Sequence, residues 1–165
     1  MDPLNDTGVF RLLFVCTGNT CRSPMAEVIA RHQITKLGWS EVEVGSAGVG
    51  AWEGSPPSGG AVRVAAANGL DLSEHSSTYL SQELVEEADL ILTMSASHVV
   101  RARELGAGEK VALLPAFTAR QVDMGKVDGI PDPIGGCDEE YAGTFEVLDG
   151  LIELALMRIQ PLLKP

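Results

Sequence analysis

Cys16 and Arg22 are separated by five residues in Val15-Cys16-Thr17-Gly18-Asn19-Thr20-Cys21-Arg22-Ser23-Pro24. A loop of that length can close into a ring of inward-pointing amides that holds an anion, with a helix N-terminus adding positive dipole. Such surroundings also favour a thiolate, so Cys16 is the candidate nucleophile for attack on phosphorus. The planar guanidinium of Arg22 matches two phosphoryl oxygens at once, as a lysine cannot. Gly18 allows close backbone approach, and Asn19 tolerates a left-handed conformation. Thr17 and Ser23 carry hydroxyls that can donate to the Cys16 sulfur. The alternative is a turn with a buried cysteine ahead of an ordinary helix.

These residues need a strand before them and a helix after. Leu12-Leu13-Phe14-Val15 is an apolar run, and Ser23-Pro24 reads as cap and first turn of a helix over 24–37 that stops at Gly38. Further along, 41–44 alternates as a half-buried strand, and 45–60 reads as a long loop. Helices are expected over 61–68, 81–88, 97–105 and 141–160, and Ser81 caps the second of them. Leu90–Met94 is continuously apolar, as suits a central parallel strand, and 111–114 is the last strand. Residues 120–137 read as a Gly- and Pro-containing loop. Strands alternating with helices predict a layered α/β domain around a parallel sheet.

With 165 residues, 45% hydrophobic and 21% charged, the chain has the composition of a globular protein. A flexible tail over 1–8 followed by one domain over 9–165 is expected. The net charge of −11 argues against nucleic acid and anionic membranes as partners. No stretch reads as a signal peptide or membrane span, so a cytoplasmic location is expected. Three cysteines (Cys16, Cys21 and Cys137) argue against a disulfide framework. Their spacing to His32, His75 and His98 fits no common zinc site.

Phosphoryl transfer also requires a proton for the leaving group. Asp132 lies between prolines in Pro131-Asp132-Pro133, which favours an extended backbone that presents its carboxyl outward. On residue chemistry alone, Asp123 and Asp128 serve as well.

The run V-C-T-G-N-T-C-R-S-P-M-A-E closely resembles the signature of the low-molecular-weight protein-tyrosine phosphatase family. The resemblance continues from Arg11 through S-A-G at 46–48, His75 after Gly69-Leu70-Asp71, A-D-L-I-L-T-M at 88–94 and D-P at Asp132-Pro133. It implies a three-layer α/β/α fold with four parallel strands in the order 2-1-3-4 and the loop after strand 1. It also implies a two-step, metal-free mechanism through a phosphocysteine, with no cofactor and with Asp132 as acid and then base. Ser46 and His75 become supports of the loop through Asn19, whereas His32 and His98 receive no role.

Thr20 and Ile134 bear on the substrate. Tyrosine phosphatases of this family usually carry a bulky aliphatic residue at the position of Thr20. A hydroxyl can instead bond a polar guanidinium, and the bacterial protein-arginine phosphatases of the family carry threonine there. Asp132-Pro133-Ile134-Gly135-Gly136 resembles their D-P-F-G-G, with isoleucine for phenylalanine. Phosphoarginine in proteins is therefore the expected substrate and phosphotyrosine the alternative. Arsenate reductases share the loop but need two more cysteines near the third strand, and 88–98 holds none. A silent phosphoprotein-binding module would be expected to lose Cys16 or Asp132. Cys21 is a candidate to capture oxidised Cys16 as a disulfide, giving redox sensitivity.

Overall fold

The computed structural model describes residues 8–119 and 129–163. Strand β1 (Phe10–Cys16) leads into the loop and helix α1 (Arg22–Leu37), followed by β2 (Val42–Gly48), α2 (Gly59–Ala67) and α3 (Gln82–Glu87). Then come β3 (Leu90–Thr93), α4 (Ala96–Glu104), β4 (Val111–Leu113), α5 (Leu114–Thr118) and α6 (Asp138–Ile159). The four strands pair in parallel in the order β2-β1-β3-β4, as the resemblance implies.

The side-chain alternation of β1 explains the layers. Phe10, Leu12 and Phe14 face one core, shared with Met25 and Ile29 of α1 and Phe145, Leu148 and Ile152 of α6. Leu13 and Val15 face the other, with Ile91, Val111, Val85 of α3 and Ala102 of α4. All four residues of β3 are buried, which accounts for its unbroken apolar run. The parallel order places the C-terminal ends of β1, β2 and β3 side by side, and loops at that edge can share one site.

Several boundaries differ from the sequence reading. Residues 45–48, read as the start of a loop, complete β2, because Gly45 to Gly48 pair in register with Leu13 to Cys16. Ser23 is not the cap of α1: the helix begins at Arg22 with Cys21 at the cap position. Gly38 closes it in the left-handed conformation, at φ 76°. Leu114, read as strand, opens α5.

Ser81 does cap α3, accepting from the Leu84 amide at 3.2 Å. Helix α6 starts at Asp138, three residues before its apolar pattern does. Asp138, Glu139 and Glu140 fill that first turn, where acidic groups favour the dipole. Of the loop expected over 120–137, residues 129–137 form neither helix nor strand, while 120–128, with Asp123 and Asp128, lie outside the described residues. Residues 1–7 of the expected tail do as well. No helix among the described residues is long and apolar enough to cross a membrane.

Candidate active site

The loop between β1 and α1 is shaped by Asn19. It is fully buried with φ 56°, the only non-glycine positive φ among the described residues. Its amide Nδ2 donates to Ser23 Oγ at 2.8 Å and Ser46 Oγ at 2.9 Å, while Oδ1 accepts from the Thr78 amide at 2.8 Å. His75 Nε2 lies 2.8 Å from the Asn19 carbonyl, which can only accept, so the imidazole donates. A buried left-handed residue costs energy unless neighbours over-determine it, and four polar partners do so here.

The sequence anticipates the kink and two of these partners, Ser46 and His75. Thr78 is not legible because it binds through its backbone. Neither is Glu27, whose carboxylate accepts from Ser46 Oγ at 2.6 Å.

The close backbone approach in this part of the site belongs to Gly48. A Cβ there would stand 2.4 Å from the Thr17 carbonyl oxygen and 2.8 Å from the Asn19 nitrogen. Only glycine lets the end of β2 back against the loop. Gly18 lies outside the left-handed region, and a Cβ on it would meet Thr20 Oγ1 at an ordinary 3.6 Å. Packing within the chain therefore does not require glycine at position 18.

Cys16 is 2% exposed. Ser23 Oγ sits 2.8 Å from its sulfur, and the Asn19 amide donates to the sulfur at 3.2 Å. Ser23 Oγ accepts from Asn19, and its single hydrogen has two acceptors in reach, the Cys16 sulfur at 2.8 Å and the Ala47 carbonyl at 3.5 Å. Thr17 is not a partner of the sulfur, contrary to the expectation from its hydroxyl. Its Oγ1 is 2.9 Å from His98 Nε2 and accepts from Arg22 Nη2 at 3.4 Å.

Burial pushes the Cys16 thiol up and is the largest influence on it. The Ser23 hydroxyl, the Ser23 and Asn19 amides and the Arg22 charge all pull it down. The loop therefore holds the donors expected for a thiolate, but desolvation outweighs them, and the lowered thiol read from the sequence is not what the structure gives.

Arg22 and Asp132 meet across the site. Arg22 Nη1 donates to the Ile130 carbonyl at 2.9 Å, and Nη2 lies 3.5 Å from Asp132 Oδ2. The other carboxylate oxygen, Oδ1, accepts from the Ile134 amide at 3.1 Å. The segment carrying Asp132 is anchored to β3, with the Ile130 amide bonded to the Met94 carbonyl at 2.8 Å. Gly129 makes this possible, since a Cβ there would meet the Met94 oxygen at 2.6 Å. Ile134, 60% exposed, follows on the same segment.

Thr20 is half-buried, and its carbonyl accepts from the Ser58 amide at 2.9 Å. Cys21 is a free thiol, 3% exposed, within 3.2 Å of Ser58 Oγ and 3.5 Å of the Tyr141 hydroxyl. No cluster of three or more histidine, cysteine or acidic residues suited to a metal occurs among the described residues.

His98, given no role from the sequence, is brought to the loop. It is 1% exposed, and Nδ1 accepts from the Ser95 amide at 3.1 Å while Nε2 faces Thr17. A Ser-x-x-His spacing at the start of a helix is the signal that could have revealed it. Its pKa is pushed down to about 4 by burial and by the Arg22 charge, with Asp132 opposing.

The folded protein therefore keeps His98 neutral, while the unfolded chain takes up a proton below about 6.5. Stability from this residue is complete above that value and declines as pH falls towards 4, by roughly 3 kcal/mol in all. In urea unfolding at about pH 7 and about pH 4.5, wild type should lose more stability than His98→Gln. Equal losses would remove His98 as the source.

The family model for low molecular weight phosphotyrosine protein phosphatases matches residues 11–161. The chain belongs to that family. It is 37% identical over 153 residues to a protein-arginine-phosphatase of Geobacillus stearothermophilus, covering 92% of this chain and 97% of the relative. A low molecular weight protein-tyrosine-phosphatase of Streptomyces coelicolor is 35% identical, covering 85% of this chain and 87% of its own. Among solved structures, the YwlE arginine phosphatase mutant with a phosphorylated active-site serine superposes with a TM-score of 0.84 at 33% identity, covering 92% of this chain and 96% of that one.

Proposed function

We propose that this chain is a cysteine-dependent protein phosphatase that hydrolyses phosphoarginine in proteins through a phosphocysteine. In the first step the Cys16 thiol gives its proton to an oxygen of the phosphoryl dianion, its sulfur attacks phosphorus and the P–N bond breaks. Asp132 delivers a proton to the departing guanidine nitrogen. In the second step water attacks the phosphocysteine and the S–P bond breaks, Asp132 takes a proton from the water, and the departing phosphate returns a proton to the Cys16 sulfur.

Arg22 and the amides of Thr17 to Ser23 hold the phosphoryl oxygens. Ser23 and Asn19 stabilise the sulfur as it becomes the leaving group. The phosphoserine trapped in the YwlE mutant supports a covalent step at the corresponding residue of that relative. No metal or cofactor enters this scheme. A cytoplasmic location, phosphorylated proteins as partners rather than nucleic acid or membrane, and reversible capture of oxidised Cys16 by Cys21 belong to the same proposal.

The observation that carries the substrate is Thr20. Its Oγ1 stands 3.6 Å from where a Cβ on Gly18 would lie and 3.7 Å from the Cys21 sulfur. A phosphoguanidinium brings N–H groups that an aliphatic side chain would leave unsatisfied. Phosphotyrosine is the second reading, supported by the Streptomyces coelicolor relative.

Thr20→Ile separates the two. The substitution keeps β-branching and removes the hydroxyl. The ratio of kcat/KM on phosphoarginine over phosphotyrosine peptides should fall by roughly ten- to a thousand-fold. A wild type that already prefers phosphotyrosine, with a ratio that hardly moves in the variant, would make this a tyrosine phosphatase.

A further inference from the structure

Thr17 is exposed at the mouth of the loop, yet its hydroxyl oxygen is engaged from behind by two groups. The tautomer of His98 decides what that means. Nδ1 accepts the Ser95 amide hydrogen, so in the neutral ring the proton sits on Nε2, and Nε2–H donates to Thr17 Oγ1 at 2.9 Å. Arg22 Nη2 donates to the same oxygen at 3.4 Å. With both acceptor positions taken, the Thr17 hydroxyl hydrogen is free to point only away from His98 and Arg22. Arg22 Nη2 also reaches Asp132 Oδ2, so Thr17 and Asp132 flank the same guanidinium edge.

We infer that His98 is a positioning residue that, through its Nε2–H bond to Thr17, presents the Thr17 hydroxyl as a hydrogen-bond donor to the bound phosphoryl group. An ordinary threonine rotor is free to offer a lone pair, which would repel a phosphoryl oxygen. His98 removes that option and fixes the side-chain oxygen beside Arg22. The inference rests on the phosphatase reading for its catalytic consequence, but not for phosphate binding.

The test is a double-mutant cycle read by the Kd of inorganic phosphate in titration calorimetry and by KM and kcat on para-nitrophenyl phosphate. His98→Asn keeps an acceptor for the Ser95 amide but is too short to reach Thr17. His98→Gln carries an amide N–H that reaches it. Thr17→Val and His98→Asn should each weaken phosphate roughly three- to thirty-fold. The double variant should be no worse than Thr17→Val alone, and His98→Gln should recover most of the loss.

Additive losses, or equal losses in His98→Asn and His98→Gln, would overturn the inference and leave His98 a packing residue. Nitrogen-15 shifts of wild-type His98 report the tautomer directly: an Nε2–H ring is required, and an Nδ1–H ring overturns it. Failure of wild type to turn over para-nitrophenyl phosphate would instead strike the phosphatase reading, and phosphate affinity would still test His98.

Discussion

Cys16→Ser is expected to lose turnover by about ten-thousand-fold or more while binding inorganic phosphate within a few-fold of wild type. The reason lies in which groups do which work. In the proposed scheme affinity for the anion comes from the loop amides and Arg22, whose Nη1 is held by the Ile130 carbonyl at 2.9 Å and does not depend on the thiol. A serine hydroxyl at position 16 retains the Ser23 and Asn19 neighbours but is a far weaker nucleophile than a thiolate. Single-turnover kinetics on a phosphorylated peptide, with calorimetric titration of phosphate, separate the two quantities. Substantial residual turnover would show that another residue attacks. Lost phosphate affinity alongside lost turnover would show that the sulfur shapes the loop.

Asp132→Asn should slow hydrolysis of phosphoarginine by roughly a hundred- to ten-thousand-fold, and para-nitrophenyl phosphate far less. An unprotonated guanidine nitrogen is a very poor leaving group, whereas nitrophenolate departs with little help. The amide is isosteric, so the contact of Oδ1 with the Ile134 amide can be kept. The contact with Arg22 at 3.5 Å loses its charge, and phosphate affinity should change only modestly, because that pair is partly exposed. Equal slowing of both substrates would remove Asp132 from the acid role. The remaining explanation would then be its effect on the orientation of Arg22.

How much of this was legible in the chain differs by residue. The loop between β1 and α1 could be read because its parts are local. A strand, a tight loop and a helix start lie within a span of contiguous residues, and the kink of the loop follows from Asn19. The left-handed Asn19 at φ 56° is the clearest case, since few side chains tolerate that conformation. Asp132 was legible only through the family motif. On chemistry alone it competed with Asp123 and Asp128, because nothing in the residues themselves says which loop position will cross to Arg22.

The misread boundaries have a similar cause. Gly45 to Gly48 carry no strand preference and become strand because β1 offers them a partner in register. The first turn of α6 is acidic rather than amphipathic, so apolar periodicity could not find it.

By itself, then, the sequence determined the chemistry-bearing types and their local conformation: a cysteine and an arginine on one loop, its kink, and strands and helices in alternation. Those properties depend on side-chain shape and backbone dihedrals, which neighbours along the chain control. The tertiary structure alone decided which distant groups meet. It brought His98 of α4 to Thr17, Thr78 to the Asn19 amide oxygen, Glu27 to Ser46 and Asp132 to Arg22. It also set the protonation of buried groups, driving His98 down to about 4 and the Cys16 thiol up. Desolvation and long-range hydrogen bonds depend on how layers pack across the sheet, and that packing is a property of the whole chain that no local pattern encodes.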